Sequence, residues 1–204
     1  MAAALYGRVM RALSRRAGVR VFRFFRRELD TGTPPIAGPA GAELRLLQES
    51  EVIALCRDPE LDLQDEAVRA AYGRGDRCVG ALEGRKLLGY CWVAFAPLPH
   101  LDGVWVDFNE RVGWLYKSFV PAAFRGRGIA PALYGLAEAQ SAEAGRRYAV
   151  ICVESHNAPS IGAARRAGYA GGGAAGYMRR GTRLRSWVSP RAGKAGVRFF
   201  LPGG

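Results

Sequence analysis

The junction Phe119-Val120-Pro121-Ala122-Ala123-Phe124-Arg125-Gly126-Arg127-Gly128-Ile129-Ala130 restricts the fold of this chain more than any other stretch. Before it, the apolar run from Val112 to Val120 predicts a strand. After it, the Ala- and Leu-rich run from about Ile129 to Ala144 predicts a helix. Between them, Arg125-Gly126-Arg127-Gly128 supplies two glycines and two cations. Glycine tolerates positive φ and lets a ligand approach without a Cβ in its path. The helix that follows directs unpaired N–H groups, and the positive end of its dipole, back into the turn. These parts together describe an anion site, suited above all to a pyrophosphate.

Neither common phosphate loop fits. No Gly-Lys-Ser/Thr follows the glycines, which excludes a P-loop, and the further glycine of a dinucleotide fingerprint is absent. The spacing Arg125-x-x-Gly128-x-Ala130 instead matches Arg/Gln-x-x-Gly-x-Gly/Ala. A second element follows: a strand from Tyr148 to Val153, then Asn157-x-x-Ser160 opening a short helix that ends at Gly168-Tyr169. On these two elements, in this order, the chain resembles the GNAT superfamily of acyl-CoA-dependent N-acyltransferases over roughly residues 42–190.

The resemblance implies an α/β fold with a mixed, mostly antiparallel central sheet flanked by helices and splayed at its central strand pair. It implies acetyl-CoA, or another acyl-CoA, as cosubstrate, and no metal. The pyrophosphate would rest on the amides of Gly126, Arg127, Gly128, Ile129 and Ala130, with charge from Arg125 and Arg127. The cofactor arm would run along the backbone of Ser118, Phe119 and Val120, where donors polarise the acyl carbonyl. Pro121 has no N–H, so the donor precedes it. By the same resemblance Asn157 contacts the arm while capping the next helix, and Ser160 stands at that helix start.

One departure bears on the chemistry. Many relatives carry a tyrosine seven residues after the asparagine, which protonates the departing thiolate; here that position is Ala164. Tyr134, Tyr169 or a water could take its place. An attacking ammonium must also lose a proton. Glu154 and His156, flanking the end of the second strand, are the first candidates for that base, and Asp107 and Glu110 come next. Tyr116 and Trp105 are candidates for shaping the acceptor pocket. Cys152 lies on the same strand, but a thiol in an apolar run is usually inert, so direct attack in a ternary complex is expected. No Ser–His–Asp order and no His-Glu-x-x-His is present, which disfavours a hydrolase.

Charge divides the chain. Residues 1–30 hold eight arginines against Glu28 and Asp30, residues 31–154 are slightly acidic, and residues 155–204 hold nine basic and no acidic side chains, within a net charge of +12. Residues 1–30 read as a basic amphipathic extension: Leu5, Val9, Ala12 and Leu13 share a helical face, and an aromatic and basic stretch from Val19 to Arg27 follows. Such a segment suits peripheral contact with an anionic membrane, or docking on the domain or on a second copy. Residues 31–41, rich in Pro and Gly, read as a linker, 42–190 as the acyltransferase domain, and 191–204 as a basic, loosely structured tail.

Within the domain, Glu43–Leu47 reads as a strand, and Gln48–Arg57 and Leu63–Tyr72 as helices, with Asp62 a candidate cap for the second. Arg77–Leu82 and Lys86–Phe95 read as a hairpin, residues 96–101 as a loop, and Val104–Phe108 as a short strand. Two closing strands are expected after the glycine-rich stretch 171–176. No apolar run approaches the ~18–20 residues of a membrane span. The four cysteines, Cys56, Cys78, Cys91 and Cys152, lack metal-ligand spacing and suit a reduced, cytoplasmic setting, at most peripheral to the inner membrane surface.

The expected activity is therefore transfer of an acyl group, most readily acetyl, to a small-molecule or peptide amine. The alternatives are a non-catalytic acyl-CoA sensor or scaffold of the same fold, and a membrane-binding protein driven by the basic ends. No nucleic-acid module is recognisable, and nucleic acid is not expected as a partner. Neither the acceptor nor the oligomeric state is legible.

Overall fold

The computed structural model describes residues 2–29 and 38–203, so most of the expected 31–41 linker lies outside the described residues. In chain order the first elements are α1 (Ala2–Ala17), β1 (Val19–Glu28), β2 (Glu43–Leu47), α2 (Glu49–Leu55), α3 (Asp65–Gly73), β3 (Arg77–Glu83) and β4 (Lys86–Ala94). Then come β5 (Leu98–Pro99), β6 (Trp105–Asp107), β7 (Val112–Phe119), α4 (Ile129–Glu143) and β8 (Tyr148–Glu154). The chain closes with α5 (Ala158–Arg166), β9 (Ala170–Arg180), β10 (Arg183–Val188), α6 (Pro190–Gly193) and β11 (Arg198–Phe200). This is a mixed α/β fold of mostly antiparallel strands flanked by helices. The chain divides into two compact units, one of residues 28–96 and 112–149, the other of residues 1–27, 97–111 and 150–204.

In the 28–149 unit the strand order is β7-β4-β3-β2, and every neighbouring pair is antiparallel. The register sets Leu47 beside Cys78, Cys78 beside Trp92, and Trp92 beside Tyr116. Alternation along paired strands places these side chains on one face. There Val52, Leu61, Leu63, Val68 and Ala71 pack with Leu47, Cys78, Tyr90 and Trp92 into one apolar cluster. α4 buries Ile129, Ala132, Leu133 and Ala137 and packs on β3, β4 and β7. The hairpin and both helices lie where hydrophobic spacing predicts them. Asp62 does not cap α3: it sits in the left-handed region at the end of a 3-10 turn, and Gln64 occupies the cap position without a side-chain bond.

The other unit orders its strands β10-β9-β1-β8, with β1 and β10 both antiparallel to β9, and adds a small sheet β11-β6-β5. Its centre is aromatic: Phe22 lies against His100, Tyr177 and Phe199, with centroids 4.7, 5.7 and 5.8 Å away. Three local expectations give way here. The glycine-rich stretch is itself strand, because bare backbone admits close neighbours: a Cβ on Gly176 would come within 2.5 Å of the Arg20 carbonyl oxygen. Leu98–Pro99, expected in a loop, pairs with β6. Arg198–Phe200, expected to be loose, pairs with the other edge of β6. Short strands of two or three residues carry too little periodicity to announce themselves.

Candidate functional site: an exposed glycine turn beside a bulged strand

β7 does not run straight into the turn. Tyr90 faces Phe119 and Trp92 faces Tyr116, so Lys117 and Ser118 together oppose Cys91 alone. That is a β-bulge, and Lys117 takes φ 45, in the left-handed region. A bulge interrupts the ladder and re-aims the main chain, and bulges recur beside functional sites for that reason. It falls at the head of the Ser118–Val120 stretch. The Cys91 thiol, opposite the bulge, points to the Tyr116 carbonyl at 3.9 Å. Burial pushes the Tyr134 phenol up to about 12, so it remains a proton donor at neutral pH.

Beyond Phe119 the chain makes a 3-10 turn over Ala122–Phe124 and then the glycine turn. Arg125 Nε donates to the Val120 carbonyl at 3.0 Å and clasps the turn from behind. Gly126 and Gly128 have φ 82 and 78, and a Cβ built on either meets nothing within 4 Å. Arg125, Gly126, Arg127 and Gly128 are all exposed, whereas Ile129 is buried and fixes the helix start. Gly128 caps α4 with no side-chain bond, and the first turn of α4 carries no acidic residue. Pro131, in that first turn, has no N–H, so the donors at the helix end are those of Ile129 and Ala130. Free backbone N–H groups at a helix start, with cations beside them, are what a pyrophosphate requires. The other two cations here pack on one ring: Lys86 Nζ and the Arg127 guanidinium lie 4.8 and 5.4 Å from the Phe124 centroid.

In the other unit, Glu154, His156, Asn157 and Ser160 lie together where β8 ends and α5 begins. Asn157 caps α5, its Oδ1 accepting from the Ser160 N–H at 3.2 Å, and its own N–H donates to the Glu154 carbonyl at 2.9 Å. Glu154 Oε1 accepts from Arg20 at 2.7 Å, while Oε2 stands 4.0 Å from His156 Nε2. Arg20 also binds Asp102 at 2.8 Å and holds that carboxyl below its usual range. Of the further base candidates, Asp107 is engaged by Arg198 at 2.9 Å, and Glu110 is exposed in the turn before β7. Trp105, half-buried on β6, lies 6.2 Å from Phe200. Ala164 is fully buried, and Tyr169 is buried at the start of β9. Burial pushes the Cys152 thiol well up, which removes it as a ready nucleophile.

Sequence reasoning missed one cluster in the 28–149 unit. Asp76 is 2% exposed, and its Oδ2 accepts from the Tyr116 hydroxyl at 2.7 Å and from Arg74 at 2.7 Å. Its Oδ1 is buried with no partner. Tyr116 is therefore tied to a buried carboxylate and also packs on Trp92, 6.2 Å away. Nothing in the run Gly75-Asp76-Arg77 distinguishes this aspartate from a surface turn residue. Among the described residues no group of three or more His, Cys, Asp or Glu could hold a metal ion, and no helix is long and apolar enough to cross a membrane.

The model of the acetyltransferase (GNAT) family matches residues 43–169. A GCN5-related N-acetyltransferase from Sphaerobacter thermophilus superposes with TM-score 0.55 and 17% identity, over 88% of this chain and 56% of its own. A protein assigned to the GNAT family from Novosphingobium aromaticivorans gives 0.54 and 17%, over 84% of this chain and 66% of its own. The chain thus spans between half and two thirds of those proteins, and at such identity the likeness speaks to fold alone. No curated protein shows a significant match. The family match over more than half of the chain, and the shared fold, agree with the turn and capped helix described above: the chain belongs to the GNAT family of acetyltransferases.

Proposed function

We propose that the protein transfers an acyl group, most readily acetyl, from its CoA thioester to an amine by direct attack. The exposed Arg125–Gly128 turn at the start of α4 carries this reading: no side chain caps the helix and nothing occupies the space a Cβ would take at Gly126 or Gly128, which suits a diphosphate. The amine nitrogen forms a bond to the thioester carbonyl carbon, the carbon–sulfur bond breaks, and the sulfur leaves with the bonding pair. Before that attack the ammonium gives one proton to Glu154 or His156, and the second proton, shed as the nitrogen becomes an amide, passes to the departing sulfur directly or through water. The bulge at Lys117 and Ser118 supports an arm lying along Ser118–Val120, because it interrupts regular pairing of that backbone. Asn157 and Ser160 remain assigned to the cofactor on family resemblance; their capping bond is compatible with that role. The acceptor proposed is a small-molecule or peptide amine.

Calorimetry with CoA and acetyl-CoA tests the first half of this. Micromolar binding is expected, weakened at least tenfold in Arg127→Ala and Gly126→Val with the fold intact; indifference of the wild type to CoA would end the reading. CoA release over a panel of amines tests the second half. His156→Ala and Glu154→Gln should lower kcat at least tenfold while leaving CoA affinity unchanged, and an unaltered kcat in both would remove them as bases. A second reading has an observation of its own. Because Ala164 is buried where relatives carry the proton-donating tyrosine, a non-catalytic acyl-CoA sensor is favoured if CoA binds tightly and no amine turns over.

A further inference from the structure

α1 presents an apolar stripe to solvent. Leu5, Val9 and Leu13 are 57%, 47% and 41% exposed, and Tyr6 is 42% exposed. Spacing of four residues stacks Leu5, Val9 and Leu13 on one side of the helix. The helix is nonetheless seated in its own unit: Gly7 and Met10 are buried, and the Tyr6 hydroxyl lies 2.8 Å from Ser155 Oγ. The stripe is therefore a second face, separate from the one that docks. Exposed Arg8 and Arg16 flank it, and the sequence from residue 1 to 27 holds eight arginines and no acidic residue.

We propose that this face of α1 lies on an anionic lipid surface, the aliphatic row entering the headgroup boundary and the flanking arginines pairing with phosphates. Charge selects the occupant. In a second copy, the same helix would set arginines against arginines with no carboxylate of its own to answer them. Protein grooves are usually anchored by an aromatic side chain seated in a pocket. Here the row is aliphatic, and the adjacent Tyr6 is held by Ser155. A lipid surface needs no shape complement and takes a row of leucine and valine together with arginines. One short helix gives reversible binding, strengthened by roughly 1 kcal/mol for each arginine near the charged surface. The surface is independent of the acyltransferase reading.

Sedimentation of the full chain with vesicles tests it, using phosphatidylcholine alone and phosphatidylcholine with about one third phosphatidylglycerol at ~0.1 M salt. Partition onto the anionic vesicles is expected to be at least tenfold stronger and to fall steeply at about 0.5 M salt. Leu5→Glu with Val9→Glu should lower it at least tenfold, with circular dichroism and CoA binding unchanged. Arg8→Ala with Arg16→Ala, which leaves the apolar row intact, should weaken it on anionic vesicles only. Equal partition onto both vesicle types, no partition, or retention by the Leu5/Val9 variant would overturn the proposal. So would a wild-type dimer that the Leu5/Val9 variant makes monomeric, or capture by an acidic protein without vesicle binding.

Discussion

Asp76 shows what a single residue is asked to do. A carboxylate this deeply buried is costly unless its oxygens are answered, and only Oδ2 is, by Tyr116 and Arg74. Burial outweighs both partners and raises its pKa above the ordinary carboxylate value. The sign for stability follows. The folded state holds the proton to higher pH than the unfolded chain does, so this residue stabilises the fold at low pH and that contribution is lost as pH rises through its folded pKa. The slope is at most about 1.4 kcal/mol per pH unit, and Asp76→Asn should flatten it. Tyr116→Phe removes a hydrogen bond to a charged acceptor and should cost about 2 kcal/mol, read from the midpoint of urea unfolding. A change below about 0.5 kcal/mol would mean that the bond is not kept in solution.

At the scale of elements, the bulge in β7 is the feature that positions the candidate site, and it hangs on one unusual backbone conformation. Lys117 at φ 45 carries about 1 kcal/mol of strain that glycine would not. Its ion pair with Asp62, 3.9 Å long at the surface, offsets little of that. Glycine's greater freedom in the unfolded chain offsets the strain it relieves, so Lys117→Gly should leave the melting temperature and CoA affinity nearly unchanged. Lys117→Val, β-branched in a region such residues avoid, should lower stability by about 1–2 kcal/mol and weaken CoA binding with it. If valine is tolerated on both counts, the bulge does not govern the site. Elements of this length were mostly legible beforehand: two apolar runs joined by Glu83-Gly84-Arg85 announced β3 and β4, and the Asn157 cap announced α5. The bulge was not, because a lysine within an apolar strand signals no break; a glycine there would have. The strand β9 was hidden for the opposite reason. Its glycines read locally as loop, and only pairing with β1 and β10 overrides that preference.

For the whole molecule, charge was the most legible property and the burial of ionisable groups the least. The sequence places the excess of arginine at the two ends, and the net charge of +12 follows directly. It does not say that His100, which directly follows Pro99, packs on both Phe22 and Phe199, with centroids 4.7 and 5.7 Å away. Its Nε2 is buried without a partner, and burial lowers its pKa from 6.5 to about 4. A histidine kept neutral in the fold but free to charge once unfolded stabilises the protein above about pH 6.5. That stabilisation is lost as pH falls toward 4 and amounts to at most about 3 kcal/mol. Acidification also adds positive charge to a chain already at +12, so self-repulsion acts in the same direction. The two causes separate experimentally, since salt screens the net charge but barely reaches a buried imidazole. His100→Phe keeps an aromatic ring among Phe22, Tyr177 and Phe199 and removes only the imidazole's titration, so between pH 6.5 and 4 at high salt the wild type should lose about 2–3 kcal/mol more than this variant. Equal losses in the two proteins would place the acid sensitivity in the surface charge and leave His100 as packing alone.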